Sequence, residues 1–542
     1  MTAPSAHADL ILTGGDVITL DPGRPRAAAV AIGGGVVLAA GDDAEVRRHA
    51  TARTEVIDVR GGTVLPGLTD GHLHPVHGAD DIDNVALAGA RDLAEVRARL
   101  SAAARGLPAD AWVLGYGLDP NLFPYGRPTA ADIDGAVGGR PAVLTLFDGH
   151  AVLASRAALA RAGITGPRAF GSGARIVCDD DGTPTGHLLE REAEDLVRTL
   201  VPRPDAATRR DRLRRALTAM AATGLTGGHV MDADDESLAL IAALDDAGDL
   251  PIRLRLAPIC APGTGADGRH DILRRQERGG RRWSVDAVKL FADGTIDGGT
   301  AWLAEPDAYG ESTGPYWTDP AAFGAALAFF AAHGVQTATH AIGDAAVTHV
   351  LDTLQHAPRN GVRHRVEHIE TLPDDQVDRF AALGVIASMQ PTHCTEYTRA
   401  DHTDNWSVRL GDARADRAWR CGDLRAHGAT VVLGSDWPIA HHDPRVIMAA
   451  ARLRRTPGVP DEPPNRPEQA LTAAQALEGY TTHAARAAGT EHAAGRIAPG
   501  HRADITVLGA DPLRVPADEL PAVPVPLCLV GGSVTHRTEA TR

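Results

Sequence analysis

Short apolar runs, each followed by an Ala-rich segment studded with Arg and Asp, recur through the middle of the chain. In "AALAFFAAHG" and "DDQVDRFAALG" the apolar positions fall at helical spacing. Repeated strand-then-helix units predict a parallel α/β architecture. Eight runs read as its strands: "GTVLPGLTDGHLH", "GLTGGHVMD", "IRLRLAPI", "DAVKLFADG", "VQTATHAIGD", "VRHRVEHIE", "VIASMQPTH" and "TVVLGSDWP". Eight is the number that a (β/α)8 TIM-like barrel requires. Between the first and second runs lies a stretch, 79–210, too long for a βα loop. It contains "PAVLTLFDGHAVLAS" and "GTPTGHLLEREAE" and is expected to be an inserted α+β subdomain near the barrel mouth. The chain ends have another texture. "DLILTGGDVITL" and "AAAVAIGGGVVLAAG" carry Gly-Gly punctuation between apolar runs, as hairpins do, and "RADITVLGADP" and "VPLCLVGGSVTHR" resemble them. The expected organisation is one β-sandwich composed from both termini (1–65 and 486–542), a barrel (66–78 and 211–485) and the insertion (79–210).

Composition narrows the class. Apolar residues make up 44% of 542, enough for a sizeable core without disulfides. A formal net charge of −16 argues against nucleic acid or an anionic membrane as partner, since both need basic surface. The five cysteines are odd in number, scattered and never in a CxxC pair, which fits reduced thiols in a cytoplasmic protein. The N-terminal "MTAPSAHADL" lacks the basic and apolar regions of a signal peptide, and no run reaches the length of a membrane span. The expected partner is a small-molecule substrate. One oddity stands out. Lys and Arg total 54, and a single one of them, Lys289, is lysine.

Candidate chemistry gathers at the ends of the predicted strands, where barrel enzymes place their sites. His72 and His74 close the first run in "DGHLHP"; alternation along a strand turns both to one side, where they can grip one ion. His340 ends "VQTATH", His368 ends "RVEH", and Asp436 follows the last run in "VLGSDWP". Each alone has an ordinary structural explanation, such as a helix cap for Asp436. Together with Lys289 they form a set of imidazoles and a carboxylate suited to zinc-like divalent ions. Lysine can lose its proton when buried, whereas arginine effectively cannot. A neutral amine at Lys289 can act as a Schiff-base nucleophile or form a carbamate with carbon dioxide. The loop after the fourth run is aromatic, and Trp302, Tyr309, Tyr316 and Trp317, with Trp437, could wall an apolar pocket.

The order HxH, Lys, His, His, Asp resembles the amidohydrolase superfamily. "LPGLTDGHLHP", "VKLFADGT", "HAIGDAAV", "RVEHIE", "SMQPTH" and "LGSDWP", followed by "AGRIAPGHRADITVLGADP", resemble amidohydrolase family 3, the YtcJ-like branch, whose best-described members are N-substituted formamide deformylases. The resemblance spans nearly the whole chain. It implies two divalent metal ions of the zinc type, with His72, His74 and Asp436 on the first, His340 and His368 on the second, and carboxylated Lys289 bridging both. Asp436 would be the catalytic proton carrier. His150 in "FDGHA" and His393 in "QPTHC" match family motif positions and are expected to touch substrate; His229 on the second strand would line the pocket or support a ligand. Asp344, Arg365 and Glu367 would orient these groups. His187 departs from the family, where an apolar residue is expected. The implied activity is hydrolysis of a non-peptide C–N bond, in an N-substituted formamide or other N-acyl amine, by an enzyme that family habit makes a homodimer. Ester hydrolysis, decarboxylation and isomerisation are alternatives on the same site. A Schiff-base enzyme would account for Lys289 but leave the histidines and Asp436 without a purpose, and a non-catalytic scaffold would not need a complete ligand set.

Overall fold

The computed structural model describes residues 7–539. The ends of the two terminal segments, 1–6 and 540–542, and most of the stretch read for a signal peptide, lie outside the described residues. Each of the eight runs contains a strand, and these form two parallel sheets. One orders Trp283–Val285, Arg253–Pro258, Leu225–Ala233 and Leu68–Leu73; the other orders Ala287–Phe291, Gln336–Ala341, Arg365–His368, Ile386–Met389 and Val431–Leu433. The fourth run is interrupted at Asp286, so its first half pairs in one sheet and its second half in the other. The first run also divides. Thr63–Pro66 joins a terminal sheet, and Leu68–Leu73 begins the parallel one after Gly67. Two parallel bridges, Ile259 with Lys289 and Leu73 with Trp437, link the two parallel sheets.

Helices return the chain between these strands, and their ends are written locally. Asp234 caps Asp235–Ala247 by accepting from the Ser237 N–H, and Gly248 ends it in the left-handed conformation at φ 82°. Asp319 caps Pro320–Ala332, with proline in the first turn. Their apolar faces, including Leu238, Ile241, Phe323 and Phe330, meet the sheet residues Val230, Leu256, Leu290 and Val366 in one large buried cluster. Among the described residues no helix is long and apolar enough to cross a membrane.

Both chain ends contribute to one sheet, in which Ile505–Leu508 pairs antiparallel with Thr63–Pro66. A four-stranded sheet of N-terminal strands shares an apolar cluster with it, uniting Leu10, Leu12 and Ile32 with Val64, Ile505 and Leu529. Residues 85–189 build a separate six-stranded mixed sheet with its own apolar clusters, hydrogen-bonded to the loop after Lys289: Thr295 donates to Asp148 and Thr300 to Glu190.

The strands at 68–73 and 431–433 approach closely because two glycines permit it. A Cβ on Gly71 would meet Val432 Cγ1 at 2.3 Å, and one on Gly434 would meet the His72 amide nitrogen at 2.6 Å. Across this junction Asp436 N–H donates to His72 O at 2.8 Å and His74 N–H donates to Trp437 O at 2.8 Å. Buried Asp70 accepts from the His72 and Ser435 amides. Gly434→Ala is therefore expected to cost about 1–3 kcal/mol in an unfolding titration. Gly135→Ala, where an added Cβ meets nothing within 4 Å, should be near neutral. Equal effects of the two substitutions would show that the close approach is not a constraint.

Candidate functional site

Strand alternation and the glycine-permitted junction bring His72, His74 and Asp436 together. His74 Nε2 lies 3.0 Å and His72 Nε2 3.4 Å from Asp436 Oδ1, and Lys289 Nζ lies 3.4 Å from His72 Nε2. Ligand atoms around a tetrahedral zinc at ordinary bond lengths are about 3.3 Å apart. The far nitrogen of each imidazole is committed. His72 Nδ1 pairs with Glu367 Oε2 at 2.7 Å, His74 Nδ1 with Asp232 Oδ2 at 3.2 Å, and His368 Nδ1 with Gln390 Oε1 at 3.0 Å. His340 Nε2 lies 3.0 Å from Gly294 O; a carbonyl only accepts, so this nitrogen carries the proton and Nδ1 is left as the acceptor. Outer hydrogen bonds of this kind fix the tautomer and aim of metal-binding histidines.

A second group joins His368, His393 and Asp436, whose candidate ligand atoms all lie within 4.8 Å of one another. The His340 ring stands beside it, its centroid 4.5 Å from that of His368 and 4.9 Å from that of His150. His150 comes from the inserted sheet and is held by Glu190 at 2.9 Å. Two buried polar atoms, Asp436 Oδ1 and His393 Nε2, make no hydrogen bond of good geometry among the described residues, although His74 Nε2 lies 3.0 Å from the first. Polar atoms are rarely left so when buried, and here both belong to imidazole and carboxylate groups that suit a divalent ion. The residues present fit a metal.

Electrostatics agrees with that use. Burial and the nearby Lys289 push His72 down to about 4, and burial with neighbouring cationic groups holds His340 and His368 well below the ordinary imidazole range. All three are neutral at pH 7, as metal binding requires. Burial opposes a charge on His74, but Asp232 and Asp436 outweigh it and raise the group to about 9; the same carboxylates would equally stabilise a metal cation. Burial lowers Lys289 to about 8, against the pull of Glu367 and Asp436, so its free amine is within reach near neutral pH. Several of these positions hold a left-handed backbone uncommon outside glycine: φ is 75° at His368, 58° at Asp436 and 64° at Glu190.

A cavity with about 440 Å³ of unfilled space, counting its open mouth, lies against His340, His368, His393 and Asp436. Of the residues expected to touch substrate, His150 and His393 line it. The other three lie elsewhere. His229 is buried and accepts from Arg365 Nη1 at 2.9 Å. Trp302 packs its ring against His349, 5.1 Å between centroids, and Trp437 lies over Gly78, where an added Cβ would meet it at 2.3 Å. Arg365 and Glu367 pair at 2.6 Å beneath His72, and Asp344 accepts from the Ala304 and Ala345 amides. Buried His187 lies opposite Leu153 within the inserted sheet. Sequence reasoning passed over Asp232, although it ends its strand as the histidines end theirs. It also passed over Gln390 beside "PTH", and the cavity residues Phe147, Asp148, Asp297, Glu370, Tyr397, Trp406 and Trp419, which carry no local pattern.

The sequence profile described as "Amidohydrolase family" matches residues 55–536. YtcJ of Bacillus subtilis (strain 168) is 29% identical over 541 residues, covering 96% of this chain and 98% of its own. The N-substituted formamide deformylase of Arthrobacter pascens is 28% identical over 563 residues, covering 97% of this chain and 98% of its own. A crystal structure of an uncharacterized metal-dependent hydrolase from Pyrococcus horikoshii OT3 superposes with a TM-score of 0.72 at 23% identity, covering 94% of this chain and 99% of that one.

If Asp232 aims His74, then Asp232→Asn should fold normally and bind metal about 10- to 100-fold more weakly in competition with a chromophoric chelator. Unchanged affinity would remove Asp232 from the site.

Proposed function

The chain belongs to the amidohydrolase family, and from that premise we propose that it is a metal-dependent hydrolase of a non-peptide C–N bond in a small molecule, an N-substituted formamide or another N-acyl amine. The observation that carries this reading is the convergence of His72, His74, Asp436 and the single lysine beside a cavity. The likeness to a formamide deformylase over almost the full length of both chains supports the amide substrate. We read the two parallel sheets, with their two bridges, as one eight-stranded barrel. On that reading the site lies at the C-terminal ends of its strands, the terminal sheets form a composite sandwich, and 79–210 is an insertion reaching the mouth through His150.

His72, His74 and Asp436 would hold one zinc-like ion, and His340 and His368 a second, with Lys289 between them. Bound there, divalent ions supply Lewis acidity that polarises a carbonyl and acidifies water. Lys289 would serve as a carbamate: its free amine forms an N–C bond with carbon dioxide and releases a nitrogen proton. The product is an anion with two oxygen donors where an ammonium would stand among cations. Asp436, at the open edge of the group, takes a proton from the attacking water and returns it to the departing amine. His393 and His150 face the same space and offer N–H donors to the substrate carbonyl. Glu367 and Asp232 keep His72 and His74 in register throughout.

Exhaustive chelation should abolish turnover of N-formyl amines, and added zinc should restore it; activity in the stripped protein would sink the proposal. Lys289→Arg should fold, bind one ion rather than two by elemental analysis, and lose at least about 100-fold in kcat/KM. Normal turnover by Lys289→Arg would remove the carbamate and leave only the histidines and Asp436.

A further inference from the structure

Part of the cavity has a character that amide hydrolysis does not call for. Its walls are the rings of Phe147, Tyr397, Trp406 and Trp419 and the carboxylates of Asp148, Asp297 and Glu370. Although 54 of 542 residues are Lys or Arg, none lines this cavity. The rings are ordered in two pairs: Phe147 stacks on Tyr397 with centroids 3.8 Å apart, and Trp406 lies 4.9 Å from Trp419. The Tyr397 hydroxyl donates to Ile439 O at 2.6 Å and Trp406 Nε1 to Glu370 Oε2 at 2.7 Å, so these rings offer mainly their π surfaces.

The carboxylates are hydrogen-bonded mainly by neutral donors, His150 being the cationic group nearest Asp148. Asp148 accepts from the Thr295 hydroxyl and the His150 amide, and Asp297 from Asn405 Nδ2 at 2.8 Å. Neither they nor Glu370 form an ion pair with Lys or Arg among the described residues, unlike the buried acids Glu194, Asp307 and Glu367, which pair with arginine. Burial, with Asp148 and Asp404 nearby, pushes Asp297 up to about 8. A further polar group on the same wall has no protein partner: Trp419 is 1% exposed, and its indole N–H makes no hydrogen bond among the described residues. Buried acids without counter-charge are costly, and aromatic faces with carboxylates behind them are what a desolvated cation meets favourably.

We propose that this part of the cavity is a specificity subsite for a positively charged nitrogen group, so that the preferred substrates are N-acyl amines carrying a second, cationic nitrogen besides the scissile one. The inference rests on the C–N hydrolase reading and deepens it. The cation, an ammonium, amidinium or guanidinium, lies against the ring faces and is held by Asp297 and Asp148. A bound cation draws these acids into their ionised form, whereas a carboxylate at that position finds no lysine or arginine to pair with and is disfavoured. Asp297 and Asp148 set which amine enters; they are specificity residues and take no part in bond cleavage.

The test uses metal-replete enzyme and three N-formyl amines of matched length: monoformyl pentanediamine (cationic end), N-formyl hexylamine (neutral end) and N-formyl aminohexanoate (anionic end). The expected order of kcat/KM is cationic above neutral by at least about tenfold, with the anionic compound lowest. Asp297→Asn, which keeps an acceptor for Asn405, should lose about tenfold on the cationic compound and stay within about twofold on the neutral one. Turnover of the neutral compound also reports that the variant is folded; if it is not, Asp148→Asn is read in the same way. Equal rates on cationic and neutral compounds, or an unchanged ratio in the variants, overturn the subsite and leave the hydrolase reading standing. If none of the three is hydrolysed, the hydrolase reading falls. Calorimetric binding then decides the subsite: tighter binding of the cationic compound, lost in Asp297→Asn, supports it, and equal binding of all three overturns it.

Discussion

At the centre of the protein a buried arginine grips a buried glutamate, and most of what the site can do depends on that contact. Both side chains are fully enclosed. Arg365 gives Glu367 two hydrogen bonds, at 2.6 and 2.8 Å, and with its remaining donors reaches Gly71 O, Ser388 Oγ and His229 Nδ1. One guanidinium thus ties the strands at 68–73, 225–233, 365–368 and 386–389. Glu367 then uses its second oxygen to hold His72 Nδ1 at 2.7 Å. A buried ion pair adds little net stability over an apolar replacement, but losing one partner strands a charge at a cost of about 3–5 kcal/mol. Its value here is geometric: it fixes the tautomer and angle of the first metal-facing imidazole from inside the sheet. The inner position also explains why His229, placed on a strand where it could have reached substrate, instead accepts a hydrogen bond from that guanidinium.

Strand ends were legible because two simple periodicities meet there. Alternation put His72 and His74 on one side, and the strand-helix rhythm marked where each strand stops, so His340, His368 and Asp436 stood out without any contact information. Asp232 had the same signature and was missed because a lone aspartate after a strand looks like the helix caps that abound in this chain, Asp234 being one two residues later. Aromatic residues misled for a different reason. Scarcity made Trp302 and Trp437 look valuable, yet scarcity says nothing of direction: one packs against His349 and the other covers Gly78. The rings that do line the cavity lie at 147, 397, 406 and 419, in loops and short helices with no period to read. Where the first strand divides was likewise hidden, since the apolar run continues through it; the division falls at Gly67, where a Cβ would meet Thr226 Oγ1 at 2.1 Å.

The inserted sheet has its own apolar clusters, yet it is bound into the site by polar contacts at a strained point. Glu190 follows the strand Pro184–Leu189 with φ at 64°, accepts from Thr300 at 2.6 Å, and holds His150 beside His340. The loop after Lys289 supplies two hydroxyls, Thr295 and Thr300, that reach carboxylates of the insertion. A shift of the insertion would therefore be felt first at His150 and Asp148, on the wall of the cavity, before it reached the imidazoles. Strain of about 1–3 kcal/mol at such a residue persists only where the surroundings over-determine it.

Two basic side chains are buried at this centre, and the contrast between them explains the lone lysine. Arg365 is a permanent cation, and the fold gives it a permanent anion, Glu367, in bidentate contact. Lys289 is 1% exposed and has no such partner among the described residues. Its Nζ faces His72 Nε2 at 3.4 Å and the Phe291 ring at 4.9 Å. A fixed charge there would oppose a divalent cation held by His72 and Asp436 by about 8 kcal/mol at 4 Å and an effective dielectric of about 20. Arginine serves wherever charge alone is wanted, on the surface and at position 365. At position 289 the geometry favours a side chain able to give its charge up, and among basic side chains of that length only lysine can.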